Sequence, residues 1–195
     1  MGKKGDRTKQ IIKARALGLF ARKGFKDVTM KDVCEATGLS RGGLYLHYGS
    51  TGEIFTEIVD DLMNAQRDEF GDKIARDVPA KEILLQVLER YKNEMADTQG
   101  SLSVAIYEFF GAGNAGRNNA LLRQYRKSRE MWRQLLEYGI RRGEFRPVAI
   151  DAAFDLIVFS YQGVRMYGAL MDVDERTPGH IVSLIETLLL PGGKE

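Results

Sequence analysis

Within eight residues the chain places Ser40, Arg41, Gly42, Gly43, Tyr45 and His47, a set whose types and spacing suit contact with a polyanion. The Arg41 guanidinium is a fork of donors that matches the O6 and N7 acceptors of guanine. Gly42 and Gly43 remove side-chain bulk, so the backbone can approach a groove. Two glycines inside a short helix each cost about 1 kcal/mol relative to alanine, and their presence asks for such an approach. Thr29 and Ser40 stand at helix starts, where backbone N–H groups hold phosphates. The Tyr45 hydroxyl and the His47 imidazole can donate to phosphates too. Taken singly each residue also has an ordinary reading: an exposed arginine, a capping serine, a core tyrosine, a solvated histidine.

The elements that must position these groups read as helices. Ile12, Ala16, Leu19 and Phe20 fall at i, i+4, i+7 and i+8, one face of a helix from Arg7 to Lys23 that Gly24 ends. Thr29, with Asp32 three positions on, opens a short second helix as an approximate capping box, and Gly38 stops it. After Thr37, Gly38 and Leu39, Ser40 caps a third helix from Arg41 to about Tyr48. Two short helices around a glycine turn make a helix-turn-helix, whose second helix fits the major groove of duplex DNA. Ile54, Ile58 and Leu62 then mark a longer helix running to about Phe70. Further helices are expected over Ala80–Ala96, Leu102–Phe110, Asn118–Arg142, Val148–Leu170 and Asp174–Leu190, with breaks at Pro79, Gly100, Gly111–Gly116 and Gly143–Pro147.

Composition agrees with an all-α protein: only 4 of 195 residues are proline, and 44% are hydrophobic against 29% charged. The net charge of +2 hides an asymmetry, because residues 1–50 hold eleven Lys/Arg against four acids, while the remainder is net acidic. A basic piece joined to a mildly acidic body is the footprint of a polyanion reader attached to something kept off the polyanion. The single cysteine, Cys34, cannot form an internal disulfide, and the charged start from Met1 to Lys9 is no secretory signal, so a cytoplasmic setting is expected. The stretch from Ala152 to Leu170 is apolar nearly all round but is interrupted by Asp155, Ser160, Gln162 and Arg165. It falls short of a membrane span, and a helix apolar on several faces asks for a second copy of the chain as cover.

From Ile11 to Phe55 the chain resembles the N-terminal domain of TetR/AcrR-family transcriptional regulators. The matching residues are Leu19–Phe25, Thr29–Val33, Gly38–Tyr45 and His47–Ser50, in order and at the right spacing. The resemblance implies a homodimer whose small DNA-binding domains sit on large helical domains that usually bind a small-molecule inducer. It also implies that Thr29, Ser40, Arg41, Gly42, Tyr45 and His47 lie at DNA-contact positions. Many members have a lysine directly after the serine matching Ser50. This chain has Thr51, which leaves Ser50 or the Lys3 to Lys9 arm to take over that phosphate. The body resembles the family most clearly at Gly139–Pro147, and by that analogy the last two helices form the dimer interface.

In the body, Tyr91, Met95, Tyr107, Phe110, Trp132, Tyr161, Met166 and Tyr167 can line an apolar ligand cavity or simply fill a core. Gln162 and Arg165, on the most apolar helix, need polar partners, either a ligand or the dimer interface. Other signals point elsewhere. Gly111–Gly116 spells G-x-G-x-x-G after a run, Val104–Phe110, that resembles a strand, but a dinucleotide site needs a βαβ unit. Cys34 reads as a small core residue, and His180 has no metal-ligand cluster around it. Serine, histidine and acids are present without a nucleophile elbow, so neither catalysis, cofactor nor metal is expected. The expected architecture is a three-helix helix-turn-helix domain over residues 1–52 and a helical ligand-binding and dimerisation domain over 53–195. The expected function is a ligand-responsive regulator, a repressor first, binding a pseudo-palindromic duplex as a homodimer without a membrane partner. The alternatives are a nucleotide-binding redox sensor or helical enzyme using Gly111–Gly116, and a DNA-binding module that answers to a protein partner.

Overall fold

The computed structural model describes residues 3–65, 68–97, 101–112 and 120–192. They form helices α1 (Lys3–Lys23), α2 (Met30–Thr37), α3 (Arg41–Tyr45), α4 (Thr51–Ala65), α5 (Gly71–Ala75), α6 (Ala80–Ala96), α7 (Ser103–Gly111), α8 (Ala120–Arg141), α9 (Ile150–Tyr167) and α10 (Thr177–Leu189). No strand occurs among the described residues, and the all-α class holds. Packing groups residues 1–66 with 99–121 in one compact unit, and 67–98 with 122–195 in a second.

In the first unit, α1 buries Ile12, Ala16, Leu19 and Phe20, the face its spacing predicts, against Val33 of α2, Leu44 of α3, and Ile54, Phe55 and Ile58 of α4. Phe20, Phe25, Phe55 and Phe109 close the centre, with neighbouring centroids 4.8 to 5.9 Å apart in stacked, tilted and edge arrangements. Phe109 comes from α7, and Ala105 of that helix is buried beside it. The packing therefore carries the first unit past residue 52, to include α4 and α7.

The second unit packs Ile83, Leu84 and Leu88 of α6 against Trp132, Leu135 and Leu136 of α8, Phe154 and Ile157 of α9, and Ile185 and Leu189 of α10. Here several sequence expectations are corrected. The helix expected to reach Phe70 is described as α4 ending at Ala65; Phe70 is instead buried in the second core, edge-on to Trp132 at 5.4 Å. The one-turn helix α5 is too short for a periodic pattern to register. α9 stops at Tyr167, not Leu170. α10 starts at Thr177 because the Asp174 carbonyl and carboxylate take the N–H groups of Thr177 and Arg176, both at 2.8 Å.

The Gly139–Pro147 segment has a packing reason. The Gly139 carbonyl accepts from the N–H groups of Glu144 and Phe145 at 2.9 and 3.1 Å, folding the chain back so that the Phe145 ring lies on Gly139. A Cβ at Gly139 would stand 2.2 Å from that ring. The Arg146 N–H then reaches the Leu189 carbonyl at 2.7 Å and ties the turn to α10. Gly139→Ala should lower stability by about 1–3 kcal/mol through overpacking, read as a fall in thermal midpoint; an unchanged midpoint would contradict this packing.

Candidate nucleic-acid interface

The helix-turn-helix is set by three local devices. Thr29 caps α2 in a full capping box: the Asp32 N–H donates to Thr29 Oγ1 at 3.2 Å, and the Thr29 N–H donates to the Asp32 carboxylate at 2.8 Å. Lys23 holds the other carboxylate oxygen at 2.6 Å. The hydrogen bond from Lys23, then those from Thr29, hold the Asp32 carboxyl far below the usual carboxylate range. Gly38 ends α2 at φ 71°, its N–H on the Cys34 carbonyl at 2.9 Å, a conformation that suits glycine. Ser40 then caps α3, accepting from the Gly43 N–H at 3.1 Å.

Leu44 of α3 is fully buried, and the residues around it face outward. Arg41 is exposed, with its guanidinium 5.7 Å from the centroid of the Tyr45 ring, itself 44% exposed. The two glycines differ. A Cβ at Gly43 would meet Ser40 Oγ at 3.2 Å, so that glycine serves the cap, whereas a Cβ at Gly42 would meet nothing within 4 Å. Nothing described within the chain asks for a glycine at 42. α3 is also shorter than expected: it ends at Tyr45, and Leu46, His47 and Tyr48 follow it. His47 is half-buried, with Nδ1 buried and without a partner. Tyr48 is buried, donating its hydroxyl to Glu57 at 2.8 Å. Leu46 is missing from the sequence-based set, yet it is 84% exposed beside Tyr45 and offers an apolar contact of the kind that meets a thymine methyl. Its signal in the sequence is an apolar residue out of phase with Leu44.

Ser50 is the N-cap of α4, accepting from the Glu53 N–H at 3.2 Å, while Glu53 accepts from the Gly49 N–H at 2.8 Å. This S-x-x-E cap puts Thr51 at the first position of the helix. The stretch from Lys3 to Lys9, expected as an arm, is the start of α1, and Lys9 is engaged inside the unit: it pairs with Glu57 at 2.6 Å and lies 4.7 Å over the Tyr48 ring. Lys13 pairs with Asp61. Grouped by packing, the first unit has twelve Lys/Arg and nine acids, so the steep charge asymmetry along the sequence is partly neutralised by α4.

The body candidates fall into two groups. In the second unit, Tyr91 stacks on Tyr161 with centroids 4.1 Å apart, Trp132 lies 6.1 Å from Tyr91, and Met95 is buried in the same core. The Tyr161 hydroxyl donates to Glu94 and accepts from Arg165 Nη1 at 2.8 Å, and burial pushes this phenol well up. Arg165 Nε is buried without a partner. Met166 is half-buried and Gln162 exposed. Tyr107 and Phe110 lie on α7 in the first unit, Tyr107 exposed and Phe110 packed on the first core, so the structure does not bring them to that cluster. Glu94 and Arg90, also missing from the sequence-based set, line an open groove along α6.

Val104–Phe110 is part of helix α7, which removes the strand that a dinucleotide reading requires. The glycine pattern from Gly113 to Gly116 lies outside the described residues. Cys34 is half-buried against the first core, and among the described residues no cluster of His, Cys, Asp or Glu could hold a metal. No helix among them is long and apolar enough to cross a membrane.

A family model described as bacterial regulatory proteins, tetR family, matches residues 12–58, and one described as a tetracyclin repressor-like C-terminal domain matches residues 83–177. The chain belongs to the TetR family. The HTH-type transcriptional regulator YfiR of Bacillus subtilis is 33% identical over 147 residues, 74% of this chain and 71% of its own. The HTH-type transcriptional repressor KstR2 of Rhodococcus jostii is 27% identical over 196 residues, 97% of this chain and 94% of its own. Among solved structures, the ketosteroid transcriptional regulator KstR2 of Mycobacterium tuberculosis has the same fold, with a TM-score of 0.68 at 19% identity, covering 95% of each chain. A TetR-family regulator from Agrobacterium tumefaciens does so at 0.75 and 16%, covering 94% of this chain and 98% of its own. As a TetR-family transcriptional regulator, the chain has its helix-turn-helix within the first matched region.

Two outcomes follow from this geometry. Gly42→Ala should stabilise the free protein by about 0.5–1 kcal/mol, because the new methyl meets open space on a helix, while it weakens duplex binding. A thermal melt and a binding titration on one sample check both, and unweakened binding would remove the close approach. Asp32 has a folded pKa below its unfolded one, so its stabilisation is present above the carboxylate range and is lost as pH falls below about 4. Asp32→Asn should accordingly melt lower than the parent at pH 7, with the gap narrowing toward about pH 2.5; a gap constant with pH would contradict the assignment.

Proposed function

We propose that the chain is an effector-controlled repressor that binds a pseudo-palindromic operator as a homodimer in the cytoplasm and is released by a small molecule. The observation that carries the reading is the outward edge of α3, where Arg41 and Gly42 stand free of the core that buries Leu44. Arg41 reads a guanine, Gly42 admits the backbone, and Tyr45, His47, Ser40, Ser50 and the start of α2 at Thr29 hold the flanking phosphates. Relatives named as repressors, KstR2 of Rhodococcus jostii among them, support the direction of control.

Dimerisation through α9 and α10 is supported by an uncovered apolar face. α9 buries Ala153, Phe154, Ile157 and Tyr161, yet leaves Leu156, Phe159 and Tyr167 exposed at helical spacing, and α10 leaves Leu184 exposed. A second copy covers such a face and holds two readers about 34 to 36 Å apart, one turn of duplex. The Tyr91–Tyr161–Trp132 cluster with Arg165 is the place proposed for the effector, whose differential affinity for two dimer states, commonly about 1–3 kcal/mol, sets the response.

Selection of bound fragments from a random duplex pool supplies the operator. On that operator Arg41→Ala should lose about 1–3 kcal/mol of binding and relax preference at one base per half-site; equal affinity would contradict the role. In sedimentation the parent should run as a dimer and Phe159→Glu with Leu184→Glu as a monomer, whereas a monomeric parent at micromolar concentration would remove the spacing mechanism.

A further inference from the structure

Glu108 of α7 makes a contact that neither folding of α7 nor a direct DNA contact requires. One carboxylate oxygen, Oε2, accepts the N–H of Phe25 at 2.7 Å and the N–H of Lys26 at 3.0 Å, across 83 and 82 residues of sequence. The approach is possible because residue 24 is glycine. Gly24 leaves α1 at φ 77°, and a Cβ there would stand 2.7 Å from the same oxygen. The placement runs against the field of α1, whose C-terminal end disfavours an anion; two charge-assisted hydrogen bonds hold it there. The neighbouring Phe109 ring packs on Phe25 at 4.9 Å and Phe55 at 5.0 Å, so α7 touches this turn through a carboxylate and a ring together.

The turn matters because it aims the reader. Residues 24–28 join α1 to the Thr29 cap, α2 carries α3 through the Gly38 turn, and α3 carries Arg41. Along the chain, α7 is flanked by α6 and α8, which lie in the second unit, α8 from Leu122 onward. Among the described residues of the later chain, α7 packs with the reader, together with Ala120 at the start of α8. Hydrogen bonds of 2.7 and 3.0 Å fail with a shift of α7 of about 1 Å.

We propose that Glu108 is a positioning residue of the DNA reader: it fixes the turn from which α2 and α3 depart. This rests on the repressor reading, and it adds a residue that holds the reader in its operator-binding geometry. The Gln variant keeps one carbonyl acceptor where both N–H groups point; Ala keeps none. The full-length parent, Glu108→Gln and Glu108→Ala are compared well below their melting temperatures. Amide exchange at Phe25 and Lys26 and across α2–α3 is read without DNA, and affinity is read for the selected operator against a scrambled duplex at fixed salt. In the Ala variant, exchange at Phe25 and Lys26 should rise about tenfold or more. Its operator-to-scrambled affinity ratio should fall about tenfold or more, with binding to scrambled duplex unchanged. The Gln variant should stay within about threefold of the parent in both, as expected for a weaker neutral acceptor. An unchanged ratio in Ala, or equal losses on both duplexes, would overturn the proposal, as would a Gln variant no better than Ala. A parent that does not distinguish the two duplexes contradicts the repressor reading instead. Exchange then judges Glu108 alone: unchanged rates at Phe25 and Lys26 in the Ala variant overturn it, and accelerated rates uphold its hold on the turn.

Discussion

A helix of five residues has no stability of its own, because nucleation fixes several dihedral angles for a single hydrogen bond. α3 exists because Leu44, its fourth residue, is sealed into the core built by α1, α2 and α4, and because Ser40 caps its first turn. That one anchor decides the rest. With Leu44 inward, Arg41, Gly42 and Tyr45 face outward together, and no rotation of so short a helix can hide them without exposing the leucine. Everything functional at this end of the molecule depends on the burial of that side chain.

The same logic explains what is legible in the sequence. Caps and glycine stops are local signals, spanning three or four residues, so the helix-turn-helix and the outward Arg41, Gly42 and Tyr45 can be read from the amino-acid pattern alone, whereas the outward Leu46 carries no such cap or stop signal. Glu108 on the Phe25 amide and Lys9 on Glu57 span 83 and 48 residues, and no periodicity reports such partners. This is why the basic N-terminal stretch reads as freer than it is, and why α7 reads as part of the body when its Phe109 and Ala105 complete the reader's core. The aromatic candidates fail to form one set for a related reason: Tyr107 and Tyr161 look alike in composition, but one is 64% exposed on α7 and the other buried under Tyr91.

Polar groups in the two units include surface pairs and partly buried networks. In the first, charges sit at the surface as caps and short pairs, Asp32 with Lys23 and Glu57 with Lys9, where they set local geometry more than they add stability. In the second, the buried Tyr161 hydroxyl links Glu94, at the edge of the open groove, to the half-buried Arg165, whose Nε is left without a partner. A buried donor left unmade costs free energy, and this is the group on which the proposed effector site rests.

The central claim is that the Arg41 end of α3 lies in the major groove. Methylation interference on the selected operator tests it most directly, because a methyl on guanine N7 blocks the major groove while a methyl on adenine N3 blocks the minor one. The account predicts interference at a guanine N7 in each half-site, the two centred about one helical turn apart, and loss of that interference when Arg41 is replaced by alanine. Interference confined to adenine N3, or a guanine pattern that survives the Arg41 replacement unchanged, would contradict it.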